Sequence, residues 1–285
     1  MKKIFIIFIL FSLLYSFYFS CSSFTFDGAN KVRGMNFDYT NNPELKFQFL
    51  INMPKDIFLL SFETNWGYAW TMGINDSGIF IPFQLVDSNE FVSDEKGSVF
   101  MHNIFMETLS YADNIGFVNE YIGNRRVFSP RGAYTHMMIS DLSGNAAIIE
   151  AGEYQNEITE KNEEFMLMTN FAVYKFREKN YDEVYGMGAT RYINMHDTLI
   201  KSGEEISFEE AWEILKSASN SFTDCSTIFF PEEHEIYFCL DCDYDRIWKV
   251  SIENRSIETY SGFSEYKNMI INDDGILKSE LKMWK

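Results

Sequence analysis

SCSSFTFDGANKVRGMNFD, residues 20–38, holds two short apolar-rich runs on either side of the turn Asp27-Gly28-Ala29-Asn30. Ser22 to Phe26 and Lys31 to Phe37 read as paired strands, with turn residues supplying the hairpin between them. The hairpin begins at Cys21, and what precedes that cysteine is different in kind. Lys2 and Lys3 form a short positive region, and Ile4 to Tyr18 is apolar apart from Ser12 and Ser16. Small residues follow at Ser20, Ser22 and Ser23. That is the layout of an export signal, with cleavage expected between Ser20 and Cys21. An uncleaved anchor is the alternative, because the run is near the lower limit for a span. The expected organisation is therefore a signal peptide over 1–20 and a single folded domain over 21–285, in an exported protein.

A cysteine at this boundary has two readings. One is a lipoprotein, acylated on the thiol and surface-attached; its signal prefers Leu three positions before the cysteine, where this chain has Tyr18. The other is a nucleophile made N-terminal by processing. A free thiol near pKa 8.5 is a weak nucleophile, whereas an α-amino group titrates near 8 and is about one-tenth neutral at pH 7. One residue carrying both groups has nucleophile and base preassembled.

Working outward, Leu45 to Asn52, Ile57 to Thr64, Tyr68 to Ile74 and Ile79 to Val86 read as strands, the last two around Asn75-Asp76-Ser77-Gly78. Val99 to Ala112 and Ile115 to Gly123 carry helical spacing. Ala133 to Ser140, Ala146 to Ala151 and Phe165 to Thr169 are strands again. Arg191 to Lys201 and Ser207 to Ser219 are helical, the second opened by a capping box of Ser207 and Glu210. Thr227 to Phe230, Glu235 to Asp241, Ile247 to Glu253 and Ser256 to Tyr260 close the chain as strands. Without βαβ alternation the sheets should be mostly antiparallel, with helices layered outside: an α+β fold.

Composition narrows the function. Of 285 residues, 24 are basic and 42 acidic, for a net charge of −18, which repels phosphate backbones and argues against a nucleic-acid partner. Of the remaining cysteines, Cys225, Cys239 and Cys242, the last two have the spacing of a metal or redox pair but, with no second pair, read as buried structural thiols. His102, His136, His196 and His234 are dispersed without metal-ligand spacing, and His136 reads as a structural residue. No metal site and no cofactor is expected.

Several blocks, in order, resemble the choloylglycine hydrolases and penicillin V acylases, with the related acid ceramidases and isopenicillin-N acyltransferases. These form the linear-amide branch of the N-terminal nucleophile hydrolases. The blocks are Cys21-Ser22-Ser23-Phe24, Gly34-Met35-Asn36-Phe37-Asp38, Gly73-Ile74-Asn75-Asp76-Ser77-Gly78, His136 through Glu150, Thr169-Asn170 and Thr190-Arg191-Tyr192.

The resemblance implies a four-layer αββα sandwich and hydrolysis of a small-molecule amide through a thioester. N-acyl amides, conjugated bile salts and penicillin V are the substrate types. Acyl transfer to an amine is the neighbouring activity, and a homo-oligomer is the common assembly. It assigns Cys21 as nucleophile, Asp38 as the partner of its amine, and Asn170 as an oxyanion donor, with a backbone N–H near Gln84 as the second. Arg191 would lie beside the thiol. Gln84, Arg33 and Asn75 complete the candidate oxyanion and substrate set. One departure stands out: the family's arginine between Gly34 and Asn36 is Met35 here. Arg33 is two residues earlier, on the same strand face about 6.6 Å away, and is expected to reach back in its place.

Overall fold

The structure is a computed structural model that describes residues 20–87, 97–129 and 134–284. The leader up to residue 19, and Ala133 at the head of an expected strand, lie outside the described residues.

Strands place alternate side chains on opposite faces, and a sheet covered on both faces needs apolar residues on both. On Ile57–Thr64, Phe58, Leu60 and Phe62 enter one core cluster, while Ile57 and Leu59 enter another. The first cluster lies between two eight-stranded sheets. One sheet runs in the order Phe165–Met168, Ser22–Asp27, Lys31–Asp38, Thr223–Phe230, Glu235–Leu240, Ile247–Ser251, Ser256–Ser261 and Asn268–Ile270. The other runs Asn156–Glu160, Ala146–Ala151, Thr135–Ser140, Phe80–Leu85, Gly67–Asn75, Ile57–Thr64, Leu45–Leu50 and Ile276–Leu277. Every neighbouring pair in both is antiparallel.

Helices close the outer faces. Met101–Tyr111 and Gly116–Ile122 cover the second sheet through Ile104, Phe105, Leu109 and Val118. Ala189–Ser202 and Phe208–Ala218 cover the first through Met195, Leu199, Trp212 and Leu215. The layers are therefore α, β, β, α, as expected. Ser207 caps its helix and shares the predicted capping box with Glu210. The edge strand Asn156–Glu160 was not expected, because its half-exposed sequence NEITE carries no strong alternation.

Antiparallel pairing gathers particular strand ends at one end of the sandwich. Ser22–Asp27 begins there, just after Cys21, and Lys31–Asp38 finishes there. Phe165–Met168 and Phe80–Leu85 also end there, and Thr223–Phe230 begins there. Gly34 lets the first two strands pair: a Cβ on it would stand 2.2 Å from the Phe24 ring.

Candidate active site

The guanidinium of Arg191 ties these strand ends together. Its Nη1 lies 2.6 Å from the Ser20 carbonyl oxygen, 2.7 Å from that of Cys21, 3.1 Å from Ser22 Oγ and 3.4 Å from Asp38 Oδ2. Its Nη2 donates to Asn170 Oδ1 at 2.7 Å. Arg191 stands in the first turn of Ala189–Ser202, entered through Gly188 at φ +85°. A side chain at Gly188 would be strained by that φ, and its Cβ would meet Arg191 Nη2 at 2.8 Å and Thr169 Cβ at 2.9 Å.

Asp38 is fully buried. Thr223 Oγ1 donates to its Oδ1 and Asn220 Nδ2 to its Oδ2, each at 2.7 Å. Burial raises its carboxyl from 3.8 to about 6, against the opposing pull of Arg191 and the two hydrogen bonds. Thr223 and Asn220 were not anticipated. Their signal is local: Phe222 N–H donates to Asn220 Oδ1, and Asn220 N–H to Thr223 Oγ1, the turn chemistry that an Asn-x-x-Thr spacing offers.

Cys21 is buried, with its side chain in the core between the sheets. Its sulfur accepts the backbone N–H of Asp38. Burial first, and the Asp38 charge second, push the thiol up to about 12, despite that hydrogen bond and Arg191. With Ser20 attached, the thiol keeps its proton at neutral pH.

Asn170 is buried between the two sheets' ends. Its Nδ2 donates to the Leu85 carbonyl at 2.7 Å, and its own carbonyl accepts the Asp87 N–H at 2.5 Å. Gln84 points into the layer between the sheets, where Nε2 donates to Ser23 Oγ at 2.8 Å. Cys21, Asp38, Asn170, Arg191 and Gln84 thus share one end of the sandwich.

Two expected residues do not. Arg33 does not reach back toward the cysteine. Its guanidinium donates to Asp27 Oδ1 at 2.5 Å, the Phe26 carbonyl at 2.7 Å and the Asp141 carbonyl at 3.1 Å, at the hairpin-turn end. A two-residue spacing fixes the face of a strand but not which way along it a long side chain runs, and the Asp27 carboxylate draws this one away. Asn75 ends its strand at the far end of the sandwich. It donates to the Leu109 and Ala112 carbonyls at 3.1 and 3.0 Å and accepts the Ser77 and Ile79 N–H groups, both at 3.0 Å. It joins hairpin to helix and stands outside the site. Met35 lies buried in the core between the sheets, so the site has no cation in that place.

A cavity of about 500 Å³ opens beside Phe165, Met166, Leu167, Phe171 and Tyr192, but Cys21, Asp38, Asn170 and Arg191 do not line it. Among the described residues, no group of three or more His, Cys, Asp or Glu side chains could hold a metal ion. Cys239 is a buried free thiol as expected, Cys225 is buried too, and Cys242 is only half-buried.

No protein-family model matches the chain, and a search of curated proteins finds no match. Solved structures do match. Penicillin V acylase from Agrobacterium tumefaciens is similar at a TM-score of 0.63 and 12% identity, over 90% of this chain and 100% of that one. A variant of conjugated bile acid hydrolase from Clostridium perfringens gives 0.60 and 14% identity, over 87% and 98%. A Caenorhabditis elegans orthologue of N-acylethanolamine-hydrolyzing acid amidase gives 0.53 and 14%, over 74% and 93%. The layers, the strand pairing and these superpositions agree: the chain shares the αββα fold of these solved structures.

Proposed function

We propose that this protein is an exported amidohydrolase of non-peptide linear amides, with Cys21 as its N-terminal nucleophile. The observation that carries the reading is Arg191, which from its own helix joins the Cys21 backbone, Asp38 and Asn170, residues at the ends of three separate strands. Hydrolysis of the Ser20–Cys21 peptide bond turns the Cys21 amide nitrogen into an α-amine. That amine takes the thiol proton, and the sulfur attacks the substrate carbonyl. The oxyanion is received by Asn170 Nδ2 and by the Leu85 N–H. Strand alternation points that N–H the same way as the Leu85 carbonyl that already meets Asn170. The α-ammonium returns its proton to the leaving nitrogen, the C–N bond breaks, and a thioester and free amine result. Water, deprotonated by the same α-amine, then releases the carboxylic acid and the thiol. Asp38 holds the ammonium form and makes it available in both halves.

The burial of Cys21, at 2% exposure, favours this reading over a lipid anchor on the same sulfur. A diacylglyceryl group there would have to leave the core for a membrane. The similar solved structures are named as a penicillin V acylase, a conjugated bile acid hydrolase and an orthologue of an N-acylethanolamine-hydrolyzing acid amidase, which defines the substrate panel.

The test is intact mass followed by turnover of fluorogenic N-acyl amides. A chain beginning at Cys21 with a free amine, hydrolysing at least one amide and losing at least 1,000-fold of its rate (on the order expected for losing the nucleophile) in Cys21→Ala, is expected. A lipidated mass, or undiminished turnover in Cys21→Ala, defeats the proposal. Adding a primary amine separates hydrolysis from acyl transfer by the product formed.

A further inference from the structure

His136 and Glu150 face each other in the second sheet, where Gln84 is the other ladder neighbour of His136. Both are buried, at 0% and 2% exposure. Glu150 accepts the Val173 N–H at 3.0 Å and the Tyr174 N–H at 2.8 Å, and shares a hydrogen bond with His136 Nδ1 at 3.2 Å. A carboxylate in that surrounding is an acceptor for backbone, not a surface charge. Val173 and Tyr174 follow Asn170 by three and four residues. On its other flank, Asn170 is fixed by the Leu85 carbonyl and the Asp87 N–H. The short segment carrying Asn170 is thus pinned at both ends to the second sheet, while Arg191 holds the Asn170 oxygen from the first sheet's helix layer.

We propose that Glu150, oriented by His136, is a positioning residue for Asn170: its carboxylate clamps the Val173–Tyr174 backbone and so sets where Asn170 Nδ2 points. The clamp rests on the reading of Asn170 as the oxyanion donor. Glu150 touches no reacting atom. Glu150→Gln keeps the size but turns one acceptor into an NH₂ facing donors; because Val173 and Tyr174 donate to different oxygens, at least one of the two backbone bonds must be lost. His136→Ala leaves both backbone bonds and removes only the orienting group. His136→Asn puts an N–H donor back near the same place.

Two measurements test it on the processed protein. In Glu150→Gln, hydrogen exchange at the Val173 and Tyr174 amides should quicken at least tenfold with the sheets still protected. With the best amide substrate, kcat should fall 10- to 100-fold and KM should stay within twofold. His136→Ala should lose less, and His136→Asn should recover most of that loss. The deciding arm is the Asn170→Ala background, where Glu150→Gln should cost less than twofold more, because its effect passes through Asn170. An equal loss in both backgrounds, a loss carried by KM, or unchanged exchange at Val173 and Tyr174 overturns the proposal. If the unaltered protein hydrolyses no amide while Glu150→Gln still frees those two amides, the enzymatic reading fails and the role for Asn170 goes with it. The backbone clamp alone then survives.

Discussion

Asp38 shows how burial and chemistry oppose each other at one side chain. Its carboxyl titrates at about 6 in the fold against 3.8 ordinarily. The folded chain therefore binds this proton more tightly than the unfolded chain does. Its share of stability is full below about pH 4 and is lost as pH rises through 6, a loss of about 3 kcal/mol at most. The proposed catalysis asks for the opposite, since only the carboxylate can hold an ammonium. The expectation, in a Cys21→Ala chain with Ser20 attached, is that urea stability falls between pH 4.5 and 7 more steeply with Asp38 than with Asp38→Asn. Equal slopes in the two chains would show that Asp38 is already ionised at pH 4.5. Cys21, Asp38, Asn170 and Arg191 were candidates because they fall in the ordered blocks that carry the family resemblance, and the fold brings them to one end of the sandwich. Thr223 and Asn220 were not, because a hydrogen-bonding turn partner far along the chain leaves no periodic signal.

At the scale of the element, the first hairpin explains both a success and an error. Its strands were readable from Asp27-Gly28-Ala29-Asn30 and the apolar runs beside it, and they pair from Ser22↔Asn36 to Asp27↔Lys31. The hairpin also buries a full guanidinium. Arg33 is 0% exposed, and Asp27 is shared between it and Lys161 Nζ at 2.5 Å. Sequence spacing gave Arg33 the correct face, yet its partner is a carboxylate at the turn. Arg33→Ala leaves Asp27 paired with Lys161, so no charge is stranded, but it strips the buried Phe26 and Asp141 carbonyls of a donor and empties a buried volume, each costing about 1–3 kcal/mol. Arg33→Ala should accordingly lower the urea midpoint sharply while the folded fraction retains its kcat. A selective fall in kcat without loss of stability would restore Arg33 to the site. Three of the missed elements, Asn156–Glu160, Asn268–Ile270 and Ile276–Leu277, share one cause: all are edge strands. An edge strand needs no continuous apolar face, so a search for alternation passes over it.

Across the whole molecule, the two sheets hold one core in common. Phe47 of the second sheet stacks on Phe238 of the first, ring centroids 4.5 Å apart and planes 23° from parallel. Phe238 stacks in turn on Trp248, 5.4 Å away. The same layer receives Cys21 and Met35, so the proposed nucleophile sits at the rim of the packing that joins the sheets. Neither sheet can shed this face to water without exposing large aromatic area, which binds their stabilities together. Phe47→Ala should cost about 3–5 kcal/mol through lost contacts and the cavity left behind. Its consequence should be felt in the other sheet. In a chain keeping Trp248 as its single tryptophan, fluorescence and far-ultraviolet circular dichroism should unfold together in urea, as a cooperative unit does. Phe47→Ala should shift both by the same amount. A Trp248 transition left in place while the dichroism splits into two steps would mean that the sheets fold separately, and that the site between their ends is assembled by docking.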